Sequence, residues 1–155
     1  QSDLLGWMSQ LTRRIIMEID YKAPGMMPER CLQLEAFPGR SDCIIFSGEP
    51  ALIDEIQAYA RENGLPEGVK LGANIRRLTE AWKEKIPSMK LFEVGLNIEA
   101  IEREDIDWLH AHNILVFSNL GDTPEGWKKI CTHSLTGFKT NYTAPFSAWW
   151  EAWKS

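Results

Sequence analysis

The sequence predicts an α/β fold, a parallel sheet with helices packed outside it. Three observations carry that expectation. Short apolar runs alternate with longer amphipathic stretches five or six times along the chain, which is the signature of right-handed βαβ units. The runs are apolar almost throughout, as strands buried on both faces are. The intervening stretches carry helix start and stop signals.

The elements follow in order. Leu4, Leu5, Met8 and Leu11 fall at helical spacing, and Ser2 or Asp3 can cap a helix over 4–14. Ile15-Ile16-Met17-Glu18-Ile19-Asp20-Tyr21-Lys22 begins apolar and ends with charges on alternate positions, as a buried strand does where it reaches a polar site. Ala23-Pro24-Gly25 ends it, and a helix is expected over 28–37. Cys43–Phe46 is a strand, followed by Ser47-Gly48-Glu49-Pro50 and a helix over 51–63 ending at Asn63-Gly64. Strands are expected at 69–73, 90–97, 113–118 and 137–140. Helices are expected at 75–85 (Leu78 and Trp82 lie four apart), 103–112, 123–133 and 146–153. No linker or low-complexity run interrupts residues 1–155, which read as a single α/β domain.

Composition narrows the function classes. The chain has 155 residues, 44% hydrophobic and 25% charged, so disorder, a collagen-like fibre and a coiled coil are poor descriptions. It is too short for a complete (β/α)8 barrel of roughly 250 residues. The formal net charge is -5 and the pI about 5.3, which argues against a nucleic-acid surface. No apolar stretch suffices for a membrane span. No leader is recognisable, but the chain begins with Gln1 rather than Met, so the compartment stays open between cytoplasmic and secreted. Cys31, Cys43 and Cys131 form no CxxC pair and read as buried or idle thiols. Trp149, Trp150 and Trp153 near the C terminus read as helix-to-sheet packing.

Sites in parallel α/β proteins lie at the C-terminal ends of strands. The candidates there are Glu18, Asp20 and Lys22, then Ser47 to Glu49, then Asn74, Asn97, Ser118, Asn119 and Asp122, and finally Thr140, Asn141 and Tyr142. Glu18, Asp20 and Lys22 alternate and so share one strand face. Two carboxylates there suit a hard divalent cation, and a lysine beside them suits phosphate. The same trio also fits a salt-bridged network. Ser47-Gly48-Glu49 fits either an anion site at a helix N terminus or an ordinary cap. Asn119 to Asp122 fits either ligand contact or turn chemistry. His110, His112 and His133 sit near helix ends, where they read as solvated or dipole-facing residues. There is no GxGxxG, Walker loop, GxSxG or HExxH.

Four segments together resemble the glycerophosphodiester phosphodiesterases: IIMEIDYK, CIIFSGEP, ILVFSNLGDTPEGWKKI and LTGFKTNYTAP. The first is similar to that family's mid-barrel Glu-x-Lys strand, and the last to its closing strand. The likeness covers nearly the whole chain. It implies a partial (β/α)8 TIM barrel, approximately strands four to eight with their outer helices. It also implies metal-dependent hydrolysis of a glycerophosphodiester to glycerol phosphate and an alcohol, the work of a phosphoric diester hydrolase of lipid metabolism. Glu18 then matches the metal-ligand glutamate, and Asp20 stands where the family has lysine. Lys22 keeps the same face and takes the lysine's catalytic role toward phosphate. Phe117 occupies the place of an aromatic residue lining the glycerol side, with Asn119 beside it, and Asn141 replaces the usual aspartate of the last strand.

The family's His-Arg-Gly strand, its Glu-x-Asp pair and its second histidine have no counterpart here. A calcium or magnesium ion is therefore expected only in the intact protein. This chain alone is expected to be inactive, and to associate with a missing N-terminal barrel half or with itself. Two other readings remain: a complete flavodoxin-like binding or signalling domain, in which the strand order would reverse, and a non-catalytic barrel relative.

Overall fold

The computed structural model describes residues 16–119, 121–133 and 135–155. The helix expected over 4–14 lies outside them. Six strands form one sheet: β1 (Met17–Asp20), β2 (Cys43–Ser47), β3 (Lys70–Arg76), β4 (Glu93–Leu96), β5 (Leu115–Ser118) and β6 (Gly137–Phe138). Their order is sequential, β1-β2-β3-β4-β5-β6, and β1 with β2, β2 with β3, β4 with β5 and β5 with β6 pair in parallel. A doubly wound sheet changes direction at its switch point. This one does not, so the flavodoxin-like alternative falls. Six strands among the described residues agree with a partial barrel of approximately strands four to eight. The helices are α1 (Met27–Glu35), α2 (Pro50–Asn63), α3 (Glu80–Lys85), α4 (Arg103–Ala111), α5 (Pro124–Thr132) and α6 (Thr143–Trp153). No described helix is long and apolar enough to cross a membrane.

The chain divides into two compact units, one of Gln1–Asn74 with Met89–Leu91 and one of Ile75–Ser88 with Phe92–Ser155. In the first, the register sets Glu18 beside Ile44 and Asp20 beside Phe46, with Lys70 and Gly72 next in line. The pleat puts Ile19, Tyr21, Cys43, Ile45, Leu71 and Ala73 on the opposite face. That face carries the helices. Met27, Cys31 and Leu34 of α1 and Leu52, Ile53 and Ile56 of α2 are buried, and the Tyr21 hydroxyl donates to Glu55 of α2. Gly25 N also donates to Glu55 Oε1 at 2.7 Å, and Met26 N to the Tyr21 hydroxyl at 2.9 Å. The loop leaving β1 is thereby tied down. Gly64 closes α2 with φ 77°, a conformation glycine adopts without a Cβ penalty.

In the second unit, Val94, Leu96, Val116 and Ser118 are buried on the face covered by Ile106 and Leu109 of α4 and Trp127 and Ile130 of α5. Glu93, Gly95, Leu115 and Phe117 take the other face. Thr123 caps α5 by accepting from Gly126 N at 3.2 Å, with Pro124 at the first turn.

The helix expected over 75–85 is corrected. Ile75 and Arg76 continue β3, and α3 starts only at Glu80 behind the Thr79 cap, whose hydroxyl accepts from Trp82 N at 3.4 Å. The period-two row Leu71, Ala73, Ile75 prevails over the four-residue spacing of Leu78 and Trp82. The last strand is also shorter than expected, Gly137–Phe138, because Thr140 is drawn into side-chain bonding. The C-terminal tryptophans pack only in part. Trp149 lies 5.7 Å from Trp127, centroid to centroid, while Trp153 remains 42% exposed.

Candidate functional site

At the C-terminal end of β1, Glu18 is half-buried, and Asp20 and Lys22 are exposed. Lys22 Nζ lies 3.0 Å from Asp20 Oδ2. The hydrogen bond and charge of Asp20, with Glu49 further away, hold the Lys22 ammonium above its ordinary pKa, so it carries its charge across the neutral range. Ser47 Oγ accepts from Glu49 N at 3.3 Å, and Glu49, extended at φ -102°, leads into α2. That bond is a local turn ahead of the helix, and Glu49, the N-cap residue, makes no side-chain capping hydrogen bond.

The donor chemistry of Glu18 and Asp20 fits a hard cation, since carboxylate oxygens suit calcium and magnesium. Among the described residues, no group of three or more His, Cys, Asp or Glu is placed to hold a metal ion. Two carboxylates alone would need water, substrate oxygens or further ligands to complete such a donor set.

In the second unit, three strand ends are linked by hydrogen bonds. Asn97 N donates to the Arg76 carbonyl at 2.7 Å, and Asn119 N to the Leu96 carbonyl at 2.8 Å. Asn119 Nδ2 donates to Asn97 Oδ1 at 3.0 Å. Phe117 pairs in register with Gly137, where an added Cβ would come within 2.5 Å of the ring. Glycine is what lets the Phe117 ring lie this close to β6. Ser118, in contrast, is fully buried and turned to the helix side, so it is no ligand contact. Arg76 was hidden by the expected helix. The alternation through Ile75 was the available signal. Glu93, a buried carboxylate, was also missed. It opens β4 at the end opposite the candidate residues.

Asp122 fastens the last two strand ends together. Its Oδ1 accepts from Thr140 Oγ1 and Asn141 N, both at 2.9 Å, and its Oδ2 from Asn141 Nδ2 at 2.8 Å. These bonds, with Asn141 foremost, hold the carboxyl below its ordinary 3.8. A depressed carboxyl contributes stability above its unfolded pKa and loses it as pH falls through the folded value. The stability difference between wild type and Asp122→Asn should therefore be constant near neutrality and shrink below about pH 4. Thermal melts of both proteins from about pH 7 to pH 2.5 check this, and a difference that does not change with pH rules it out.

Other chemistries lack placement. His110 and His112 lie at the C-terminal end of α4 and His133 at that of α5. Each helix runs back from its strand, so these ends lie away from the strand C termini. His112 is stacked on Trp108 at 3.9 Å. The three cysteines are free, and burial pushes all three thiols up, Cys43 to about 11, so none is a ready thiolate.

No protein-family model and no curated protein matches this sequence. Solved structures do match in fold. A candidate glycerophosphodiester phosphodiesterase from Galdieria sulphuraria superposes with TM-score 0.81 at 12% identity, covering 97% of this chain and 63% of its own. A glycerophosphodiester phosphodiesterase from Parabacteroides distasonis gives 0.68 at 11% identity, covering 99% and 64%. The FimX EAL domain of Xanthomonas citri, solved with c-diGMP, gives 0.73 at 11% identity, covering 93% and 65%. The chain thus spans less than two thirds of the length of each. At the level of fold, the resemblance read from the sequence holds: this chain has the partial (β/α)8 barrel fold found in glycerophosphodiester phosphodiesterase structures.

Proposed function

We propose that this chain is part of a metal-dependent phosphoric diester hydrolase that cleaves glycerophosphodiesters to glycerol phosphate and an alcohol. The observation that carries this reading is the Asp20–Lys22 ion pair at the C-terminal end of β1, with Glu18 two residues before Asp20 on the same strand; enzymes of this fold place their sites at such strand ends. The fold likeness to glycerophosphodiester phosphodiesterases supports it.

Glu18 and Asp20 offer hard oxygens to calcium or magnesium. When bound, such an ion polarises phosphoryl oxygens and neutralises charge. Lys22, held cationic by Asp20, offsets negative charge gathering on the phosphate. Within the second unit by itself, Phe117 offers an apolar ring and Asn119 an amide, groups of the kind that glycerol carbons and hydroxyls take. Proton transfer falls to groups outside this chain, because its three histidines sit at the far ends of their helices. An N-terminal barrel half, or a second copy, is the partner this requires.

The test is hydrolysis of a glycerophosphodiester by the chain together with an N-terminal barrel half. Release of glycerol phosphate is expected in magnesium or calcium, with EDTA lowering the rate by ~100-fold or more. A rate indifferent to EDTA sinks the metal-dependent reading. A non-catalytic relative that holds a phosphodiester ligand is the second reading. It is favoured by Asp20 standing in the lysine position and pairing with Lys22. Binding of the diester without turnover in the assembled protein would select it.

A further inference from the structure

Tyr21 stands between the two members of the Asp20–Lys22 pair. Asp20 and Lys22 are exposed, whereas Tyr21 is buried, at 2% exposure. An exposed ion pair contributes little stability of its own, so the backbone of residues 20–22 is held by what Tyr21 does. Its N–H donates to the Phe46 carbonyl at 2.7 Å, which carries the pairing with β2 one residue past the end of β1.

The Tyr21 hydroxyl closes the loop beyond. It accepts from Met26 N at 2.9 Å and donates to Glu55 Oε1 of α2. The same Glu55 oxygen accepts from Gly25 N at 2.7 Å. One half-buried carboxylate oxygen thus receives both a hydroxyl and a loop amide, and bonds to an ionised acceptor are the stronger kind. Burial first, then the Glu55 bond, pushes the Tyr21 hydroxyl above its ordinary pKa, so it remains a donor. Gly25 takes φ 78°, and an added Cβ there would meet nothing within 4 Å. Its place is therefore set by bonds and not by packing. The charges that raise the Lys22 pKa are those of Asp20 and Glu49. Glu55 is not among them, so its hold on Lys22 runs through the backbone.

We infer that Glu55 is a positioning residue for the candidate site: by gripping Tyr21 and Gly25 from α2 it fixes the backbone that presents Asp20 and Lys22. The hold on the loop stands on these bonds alone, and its effect on hydrolysis rests on the function proposed above. The grip needs an acceptor oxygen, which glutamine also has.

Amide hydrogen exchange of the full chain, resolved residue by residue by NMR, tests the hold. Glu55→Ala is expected to speed exchange at Gly25 and Met26 at least ~10-fold, with β2 and β3 unchanged. Glu55→Gln is expected to restore most of the protection. Tyr21→Phe keeps the ring in the core and removes the hydroxyl, so Met26 should exchange faster while Gly25 stays protected. Because it leaves Glu55 in place, this variant also serves if Glu55→Ala does not fold. Wild-type exchange at Gly25 in Glu55→Ala, or at Met26 in Tyr21→Phe, overturns the hold. Equal acceleration across β2 and β3 makes Glu55 a residue of general stability and overturns the role. In the assembled protein, kcat should fall at least ~10-fold in Glu55→Ala and recover in Glu55→Gln. A loss that glutamine does not recover, or an unchanged kcat with a loosened loop, overturns the positioning role. A loosened loop in a protein whose wild type hydrolyses no glycerophosphodiester leaves the hold standing and removes the proposed hydrolysis.

Discussion

Trp127→Ala is expected to destabilise the protein by ~3–5 kcal/mol, the usual range for truncating a buried aromatic side chain. Trp127 is 4% exposed and sits on α5 between the sheet and the aromatic row of α6. Its ring meets Phe146 edge-on at 5.6 Å and Trp149 at 5.7 Å. Its Nε1 donates to the Gly121 carbonyl at 2.5 Å, and Gly121 N donates to Lys139 O at 2.8 Å. The same loop carries Asp122 and its three bonds to Thr140 and Asn141. Truncation therefore opens a cavity, strands a carbonyl and loosens the loop that joins the last two strand ends. Trp127→Phe keeps most of the apolar contact and removes only the N–H donor, so it should cost ~1–3 kcal/mol. Urea denaturation of the three proteins checks both figures. A loss under ~1 kcal/mol for the alanine variant would show that the α5–α6 aromatic contacts contribute little.

Glu18→Gln is expected to lower metal-dependent hydrolysis in the assembled protein by ~100-fold or more, with little change in melting temperature. The amide keeps the size of the side chain and removes the anionic oxygen that a hard cation requires. Glu18 lies in the middle of β1, paired in register with Ile44. The strand backbone thus sets its position, and an isosteric change should not move it. Metal affinity, measured by calorimetry on the same variant, should fall in parallel. If Glu18→Gln keeps the wild-type rate at saturating magnesium and calcium, the proposed ligand role is wrong. A fall in melting temperature matching the fall in rate would mean instead that Glu18 acts through the fold.

Much of this architecture was legible in the residues. Apolar runs such as Cys43–Phe46 can be satisfied only by burial on both faces, and Thr123-Pro124 or Asn63-Gly64 mark helix ends by local backbone chemistry. Local rules also placed Glu18 and Asp20 on one strand face, because the pleat has a period of two wherever the strand lies, whereas Lys22 lies beyond the end of β1. These features depend on neighbours within a few positions, so a linear reading recovers them.

The rest depends on residues far apart in the chain. The sequential strand order, which separates a barrel arc from a doubly wound sheet, is set by which strands meet. Arg76 took the strand because Asn97, 21 positions later, offers its N–H to the Arg76 carbonyl. Local spacing around Leu78 and Trp82 suggested helix instead. Asp122 became a fastener and not a free strand-end acid because Thr140 and Asn141 fold back onto it. The sequence by itself determined the alternation of elements and the face each side chain takes. The tertiary structure decided which strand ends become neighbours, since hydrogen bonds across the sheet join residues that no local pattern connects.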